Sequence, residues 1–161
     1  MKIKSKSFRT NGAIPARFTC EGADVSPPLS FDASDSNATS LALIVDDPDS
    51  PEGRFAHWIV YNLPASTKDL PEGVTQAELP PQAQLGMNGF SRIGWAGPCP
   101  RVGGRKHHYA FTLYALDGML RELDAPTMDE LVEAMTGRIL GQARLVGTYQ
   151  LAEHGTEAET R

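Results

Sequence analysis

Two apolar runs separated by turn residues dominate the chain, Leu41-Ala42-Leu43-Ile44-Val45 and His57-Trp58-Ile59-Val60-Tyr61-Asn62-Leu63. Both are rich in β-branched and aromatic residues and bounded by turn formers, which predicts a strand for each. A third run, His107 to Leu116, predicts another. Elsewhere the pattern is weaker. Ala16, Phe18 and Cys20 alternate with Arg17 and Thr19, as an edge strand would, and Leu29-Ser30-Phe31 predicts a short extended piece. Glu21 to Pro28 and Asp32 to Ser40 are small and polar and read as loops. From Pro64 to Trp95 the chain is irregular, and a stretch that long is either functional or wrapped over the edge of the fold.

Only one segment carries a helical period. Thr127 with Glu130 three residues on forms a capping box, and Met128, Leu131, Val132, Met135 and Ile139 keep the spacing of one buried stripe. We assign that stripe to the core. Gly141 is placed to end the helix, and Ala143 to Leu151 returns as a strand. The pattern predicts a mainly β chain, a single domain over residues 1–152, and a frayed polar tail over 153–161. There is no internal repeat.

Composition narrows the function classes. The 161 residues carry a net charge of −5, and the only basic cluster is the scattered Lys2, Lys4 and Lys6. Sequence-independent nucleic-acid binding needs a positive surface to displace counterions, so a nucleic-acid partner is not expected. No run approaches a membrane span, so no stable membrane insertion is expected. The charged first residues lack an apolar stretch after them, which reads as no secretory signal and a cytoplasmic protein. Two cysteines, Cys20 and Cys99, are too few for a disulfide scaffold, and their spacing leaves a bridge and two thiols equally open.

The candidate chemistry gathers around Asp46-Asp47-Pro48-Asp49-Ser50-Pro51, between the first two strands. Such a stretch is commonly a plain polar connection, but Pro48 holds Asp47 extended and makes it a fixed carboxylate. Period-two alternation puts His107, Tyr109, Phe111 and Leu113 on one face of their strand, and His108, Ala110, Thr112 and Tyr114 on the other. In the earlier strand it puts His57, Ile59 and Tyr61 opposite Trp58, Val60 and Asn62. If these strands are neighbours, His57, His107 and Asp47 converge at one end. A carboxylate bonded to one imidazole nitrogen fixes the tautomer and leaves the other nitrogen for a ligand. Gly97, in the rigid Gly94-Trp95-Ala96-Gly97-Pro98-Cys99-Pro100 loop, permits close backbone approach and amides aimed at an anion. Asp47 and Asp49 would repel that anion unless Asp47 faces the histidines or a ligand's cationic end.

Plainer readings stand beside this one. Taken singly, either histidine is an ordinary satisfied residue, His108 is structural, and Trp58 and Trp95 belong to the core. Two imidazoles and a carboxylate also suit a metal, although no tight ligand spacing is present. An enzyme using His57 or His107 as general acid/base, with Asp47 orienting it, is a further alternative. No nucleophile elbow is present, and Cys99 lies between prolines with no base near it in sequence.

With these residues in view, the chain resembles the phosphatidylethanolamine-binding protein family, in its bacterial Raf-kinase-inhibitor-like branch. The likeness runs from Ser5 to about Gln150. It rests on Asp47-Pro48-Asp49-Ser50-Pro51 with His57 to Pro64, on Trp95 to Pro100 with His107-His108-Tyr109, and on Phe18 to Gly22 with Ser26 to Leu29. Gly137 to Leu140 and Gly147 to Gln150 complete it. The resemblance implies a large antiparallel sheet packed on a smaller one, with one or two peripheral helices. It implies ligand-binding roles for Asp47, His57, Gly97, His107 and Tyr109 toward a small phosphorylated or anionic ligand. It further implies a homodimer and a possible protein target, of kinase or protease class, regulated by contact. It assigns no cofactor, no metal and no catalytic residue, so a binding protein is favoured over an enzyme. Three positions depart from the family pattern. Trp95 replaces a tyrosine, removing a hydroxyl near the pocket rim; Arg101 replaces a proline and either adds a cation at the pocket mouth or points to solvent, the reading favoured here; Arg138 replaces a histidine.

Overall fold

The run Leu41–Val45 shows no polar alternation because both of its faces are covered. The computed structural model describes residues 1–151, which form nine strands and one α-helix. In chain order they are β1 (Lys2–Lys4), β2 (Gly12–Ala13), β3 (Leu29–Asp32), β4 (Ser40–Asp47), β5 (Phe55–Pro64), β6 (Asp69–Leu70), β7 (Gln84–Leu85), β8 (His107–Leu116), α1 (Met128–Met135) and β9 (Ile139–Tyr149). A six-stranded sheet runs β2-β9-β8-β4-β5-β7 and a three-stranded sheet runs β1-β3-β6. The protein is therefore mainly β, a large sheet on a smaller one with one peripheral α-helix among the described residues. The large sheet is antiparallel except at its edge, where β2 pairs parallel with β9.

β4 is central, with β5 on one side and β8 on the other. Its Leu41, Leu43 and Val45 join Trp58, Val60, Tyr109, Phe111 and Leu113 in a core shared with Ile3, Leu29 and Phe31 of the small sheet. Ala42 and Ile44 point the other way, into a second core with Ile59, Tyr61 and, from α1, Leu131 and Met135. Burying each of these large apolar side chains is worth about 1.5–3 kcal/mol, so a strand buried on both faces is paired twice over. No helix among the described residues is long and apolar enough to cross a membrane.

Two expectations change and two open readings are decided. Ala16–Phe18 is a 3-10 turn, not an edge strand: Pro15 leads into it, and both the amide and the hydroxyl of Thr19 bond back to the Ala16 carbonyl, at 3.0 and 2.8 Å. Local bonds of this kind compete directly with a sheet ladder. The helix begins at the expected cap, with Thr127 and Glu130 bonding reciprocally, but stops at Met135 rather than near Gly141. Gly137, at φ 79°, turns the chain out, so Ile139 opens β9 and is 42% exposed, and Val132 is 37% exposed. The stripe meets the sheet through Leu131 and Met135, with Met128 partly covered. The irregular stretch after Pro64 wraps the fold: it adds β6 to the edge of the small sheet and then β7 to the edge of the large one. Finally, Cys20 and Cys99 are joined as a disulfide. The tail expected over 153–161 lies outside the described residues.

Candidate ligand-binding site

The turn between β4 and β5 fixes three carboxylates, and each has a different partner. Asp46 is buried and receives the Arg54 guanidinium at 2.5 Å. Asp47 is also buried; its Oδ1 accepts the Asp49 amide at 2.8 Å, and its Oδ2 lies 2.7 Å from His107 Nδ1. Asp49 Oδ2 lies 2.7 Å from both the amide and Nδ1 of His108. Burial alone would push the Asp49 carboxyl up, but the His108 hydrogen bonds outweigh it and hold the group below its ordinary value. Each carboxylate of the acidic run thus has a partner of its own, Arg54, His107 or His108.

His57 reaches the same place by an irregularity in pairing. Val45 pairs with Trp58 but Asp46 pairs with Ala56, so His57 is the extra residue of a β-bulge. Strict alternation would have sent His57 to the other face of the sheet, with Ile59 and Tyr61 towards the second core. The bulge instead turns its ring inward, 5.3 Å from the Tyr109 ring and edge-on to it. His57 is buried, and its Nδ1 meets the Ala96 carbonyl at 2.5 Å while the Ala96 amide donates to the His57 carbonyl at 3.0 Å. A carbonyl only accepts, so Nδ1 carries a proton. Asp47 therefore orients His107, and the backbone of Ala96 orients His57.

These residues line one cavity of about 350 Å³, with Asp47, Asp49, His57, His107 and Tyr109 in its walls. Tyr109 is fully buried, and burial, helped by Asp47 and Asp49, pushes its hydroxyl well above its ordinary value. It stays a neutral hydrogen-bonding group. Phe55, edge-on to His57 at 5.3 Å, supplies an apolar side, and Gly89 leaves room for its ring: a Cβ there would lie 2.4 Å from it. Arg101 and Arg105 also line the cavity, both exposed, so Arg101 combines the two positions open to it, in solvent and at the mouth.

Gly97 stands apart from the other four residues. It is not among those lining the cavity, and its amide donates to Asp24 Oδ1 at 2.8 Å. A Cβ at this position would lie 2.1 Å from the Phe18 carbonyl oxygen and 2.5 Å from that carboxylate, so the glycine lets two loops close against each other behind the wall. Trp95 does not reach the rim either; its indole packs edge-on to Trp58 at 5.6 Å and beside Phe111 at 6.1 Å. Arg138 lies elsewhere, paired with Asp117 at 3.0 Å. Sequence reasoning missed Phe55, Arg105 and the Asp49–His108 pair. A signal existed for two of them: Arg105 sits two residues before His107, and a doublet of acids spaced by proline precedes a doublet of histidines. Among the described residues, no group of three or more His, Cys, Asp or Glu is placed to hold a metal ion.

Comparison with known proteins came to the same fold and family. Residues 4–150 match the family model described as phosphatidylethanolamine-binding protein. A protein of Methanothermobacter thermautotrophicus, named UPF0098 protein, is 42% identical over 151 residues, spanning 93% of this chain and 99% of its own length. A UPF0098 protein of Chlamydia muridarum is 43% identical over 155 residues, spanning 93% of this chain and 99% of its own. Among solved structures, the phosphatidylethanolamine-binding protein homolog CT736 of Chlamydia trachomatis superposes with a TM-score of 0.84 at 40% identity, covering 92% of this chain and 96% of that one. E. coli YbcL, described as a member of the mammalian family, superposes at 0.87 with 27% identity, covering 93% and 98%.

Proposed function

The chain belongs to the phosphatidylethanolamine-binding protein family, and we propose that it binds a small phosphorylated or otherwise anionic ligand between His57 and His107. The observation that carries this reading is the pair of oriented imidazoles facing one cavity. Each ring has its Nδ1 engaged, on Asp47 or on the Ala96 carbonyl, so a protonated ring would offer Nε2–H to the ligand. Two such donors, with neutral Tyr109 packed beside both rings and Arg101 and Arg105 at the mouth, suit oxygen acceptors of a phosphate or carboxylate. Asp47 and Asp49 fit this use when His107 and His108 are protonated, because each carboxylate then has a counter-charge 2.7 Å away. Regulation of a partner protein would follow from ligand occupancy of this mouth.

Isothermal titration with phosphoethanolamine, inorganic phosphate and nucleotides tests the reading. Heat of binding that disappears in His57→Ala and in His107→Ala is the expected result. No heat for any of the three, between about pH 5 and 7 where imidazoles protonate, removes it.

One observation favours a second reading. The 2.7 Å Asp47–His107 contact is also how a carboxylate orients a general base. That reading requires phosphoester or ester turnover that collapses in His107→Ala; equal rates in wild type and variant would end it.

A further inference from the structure

The cavity wall formed by residues 95–100 is fastened to the rest of the protein from both sides. On its inner side Ala96 exchanges two hydrogen bonds with His57. On its outer side stands the loop around Cys20. The Gly97 amide reaches Asp24 at 2.8 Å, the Cys20 amide reaches the Pro98 carbonyl at 3.2 Å, and Cys20 is bonded to Cys99. The outer loop has anchors of its own, from Arg17 to Glu72 at 2.7 Å and from the Tyr149 hydroxyl to the Glu21 carboxylate. It is a fixed post, and the disulfide is the one covalent link between post and wall. Cys99 is itself one of the residues lining the cavity, and Cys20 is half-buried.

We propose that the Cys20–Cys99 disulfide is a reversible redox modification site that latches the ligand cavity. A small dithiol entering the cavity attacks one sulfur as the thiolate, forming a mixed disulfide. Its second thiol then resolves that bond. Two electrons and two protons pass to the protein, giving Cys20 and Cys99 thiols, and the dithiol closes into its own disulfide. The fold retains both sheets, but the wall is left on hydrogen bonds alone. Local opening of residues 95–100 then rises, and with it the mobility of the Ala96 carbonyl that orients His57. Apparent affinity falls by the fraction of time the wall is in place, about tenfold if it is closed one-tenth of the time. Linkage makes the effect reciprocal: a bound ligand resists reduction of the bridge by the same factor.

This inference rests in part on the anion-binding reading, and the test separates the two. Wild-type protein is prepared oxidised, reduced with a dithiol, and reoxidised, with far-UV circular dichroism checking that the sheets persist. Amide exchange at Ala96 and Gly97 is measured in each state without ligand, and inorganic phosphate and phosphoethanolamine are titrated into each. The expected result is exchange about tenfold faster on reduction, binding about tenfold weaker, and recovery of both on reoxidation. The double variant Cys20→Ser/Cys99→Ser should behave as the reduced protein whatever the redox state. Unchanged exchange at Ala96 and Gly97 overturns the latch, as does equal affinity in the two states. Absence of binding in both states removes the anion-binding reading, and the exchange rates then decide the latch alone.

Discussion

His107 and His108 are neighbours in β8, and each sits 2.7 Å from an aspartate of the same turn, yet the two pairs occupy different environments. In the Asp47–His107 pair the side chains are 7% and 14% exposed; in the Asp49–His108 pair they are 33% and 51% exposed. Strand alternation accounts for the split, because adjacent residues point to opposite faces and one of those faces borders the inter-sheet core. Identical contact geometry therefore has unequal consequences. An exposed pair is screened by water and salt and contributes about 1 kcal/mol at most. A buried carboxylate that loses its partner, or a buried ring that loses its carboxylate, meets the full cost of desolvation. The inner pair positions a ring in the cavity, while the outer pair fastens the turn that carries both aspartates.

The largest expected effect comes from Asp47→Ala. It removes the acceptor of His107 Nδ1 and of the Asp49 amide together, so unfolding in urea should show a loss of about 1–3 kcal/mol. Phosphate affinity should drop at least about tenfold, since one misplaced charge-assisted hydrogen bond is worth that much. A loss no greater than that of Asp49→Ala would erase the distinction between the pairs.

Next comes Asp47→Asn, which removes the charge, keeps one oxygen for either the His107 ring or the Asp49 amide, and sets an NH2 donor in place of the other acceptor. Stability should fall by about 1 kcal/mol, less than for alanine, and affinity for phosphate at mildly acid pH should fall because a protonated His107 has lost its counter-charge. Calorimetry at two pH values, about 5 and 7, reads the difference. Equal behaviour of Asn and Ala at this position would mean that shape, not hydrogen bonding, accounts for the role of Asp47.

How much of this was legible in the chain depends on how far each feature lies from local pattern. β4, β5 and β8 were plain because their apolar runs are long and their burial is nearly complete. β6 and β7 span two residues each and carry no pattern at all; they exist because an edge happens to be available. The helix start could be read from Thr127 and Glu130, but its end could not, because Gly137 and Gly141 are both acceptable stops and only packing chooses between them. For the site, the convergence of Asp47 and His107 followed from antiparallel neighbours, whereas the inward turn of His57 did not. A one-residue bulge reverses a side chain's face, and no periodicity announces it. Gly97 shows the opposite failure. Its lack of a side chain does permit a close approach, but the group approaching is Asp24 of the protein itself.

His108→Ala tests the outer pair from the other side. It should cost well under 1 kcal/mol, and phosphate affinity should stay within about twofold of wild type, because the ring points away from His107 and the cavity. Added salt sharpens the contrast: exposed charges separated by solvent are screened within about 8–10 Å at physiological strength, buried ones much less. The stability difference between His108→Ala and wild type should shrink in high salt, while that for Asp47→Ala persists. Loss of binding in His108→Ala would place the outer pair in the site after all.

The smallest effect, and the one with a defined sign, belongs to Asp49→Asn across the acid range. The Asp49 carboxyl is held below its ordinary value by the His108 bonds, against the opposing pull of burial. A group lowered in the folded state stabilises the protein above its unfolded value, about 3.9, and loses that contribution as pH falls through the folded value. The wild type should thus exceed Asp49→Asn by less than about 1 kcal/mol at neutral pH, a figure already reduced for solvent screening. That margin should narrow towards zero as pH drops below about 4. Asp32, Glu72 and Glu78 are lowered too, but they titrate alike in both proteins and cancel from the difference. Urea midpoints measured in parallel from neutral pH downwards give the margin directly. A margin that stays constant would mean the His108 bonds do not depend on the charge of Asp49, and the two pairs would then differ in burial but not in kind.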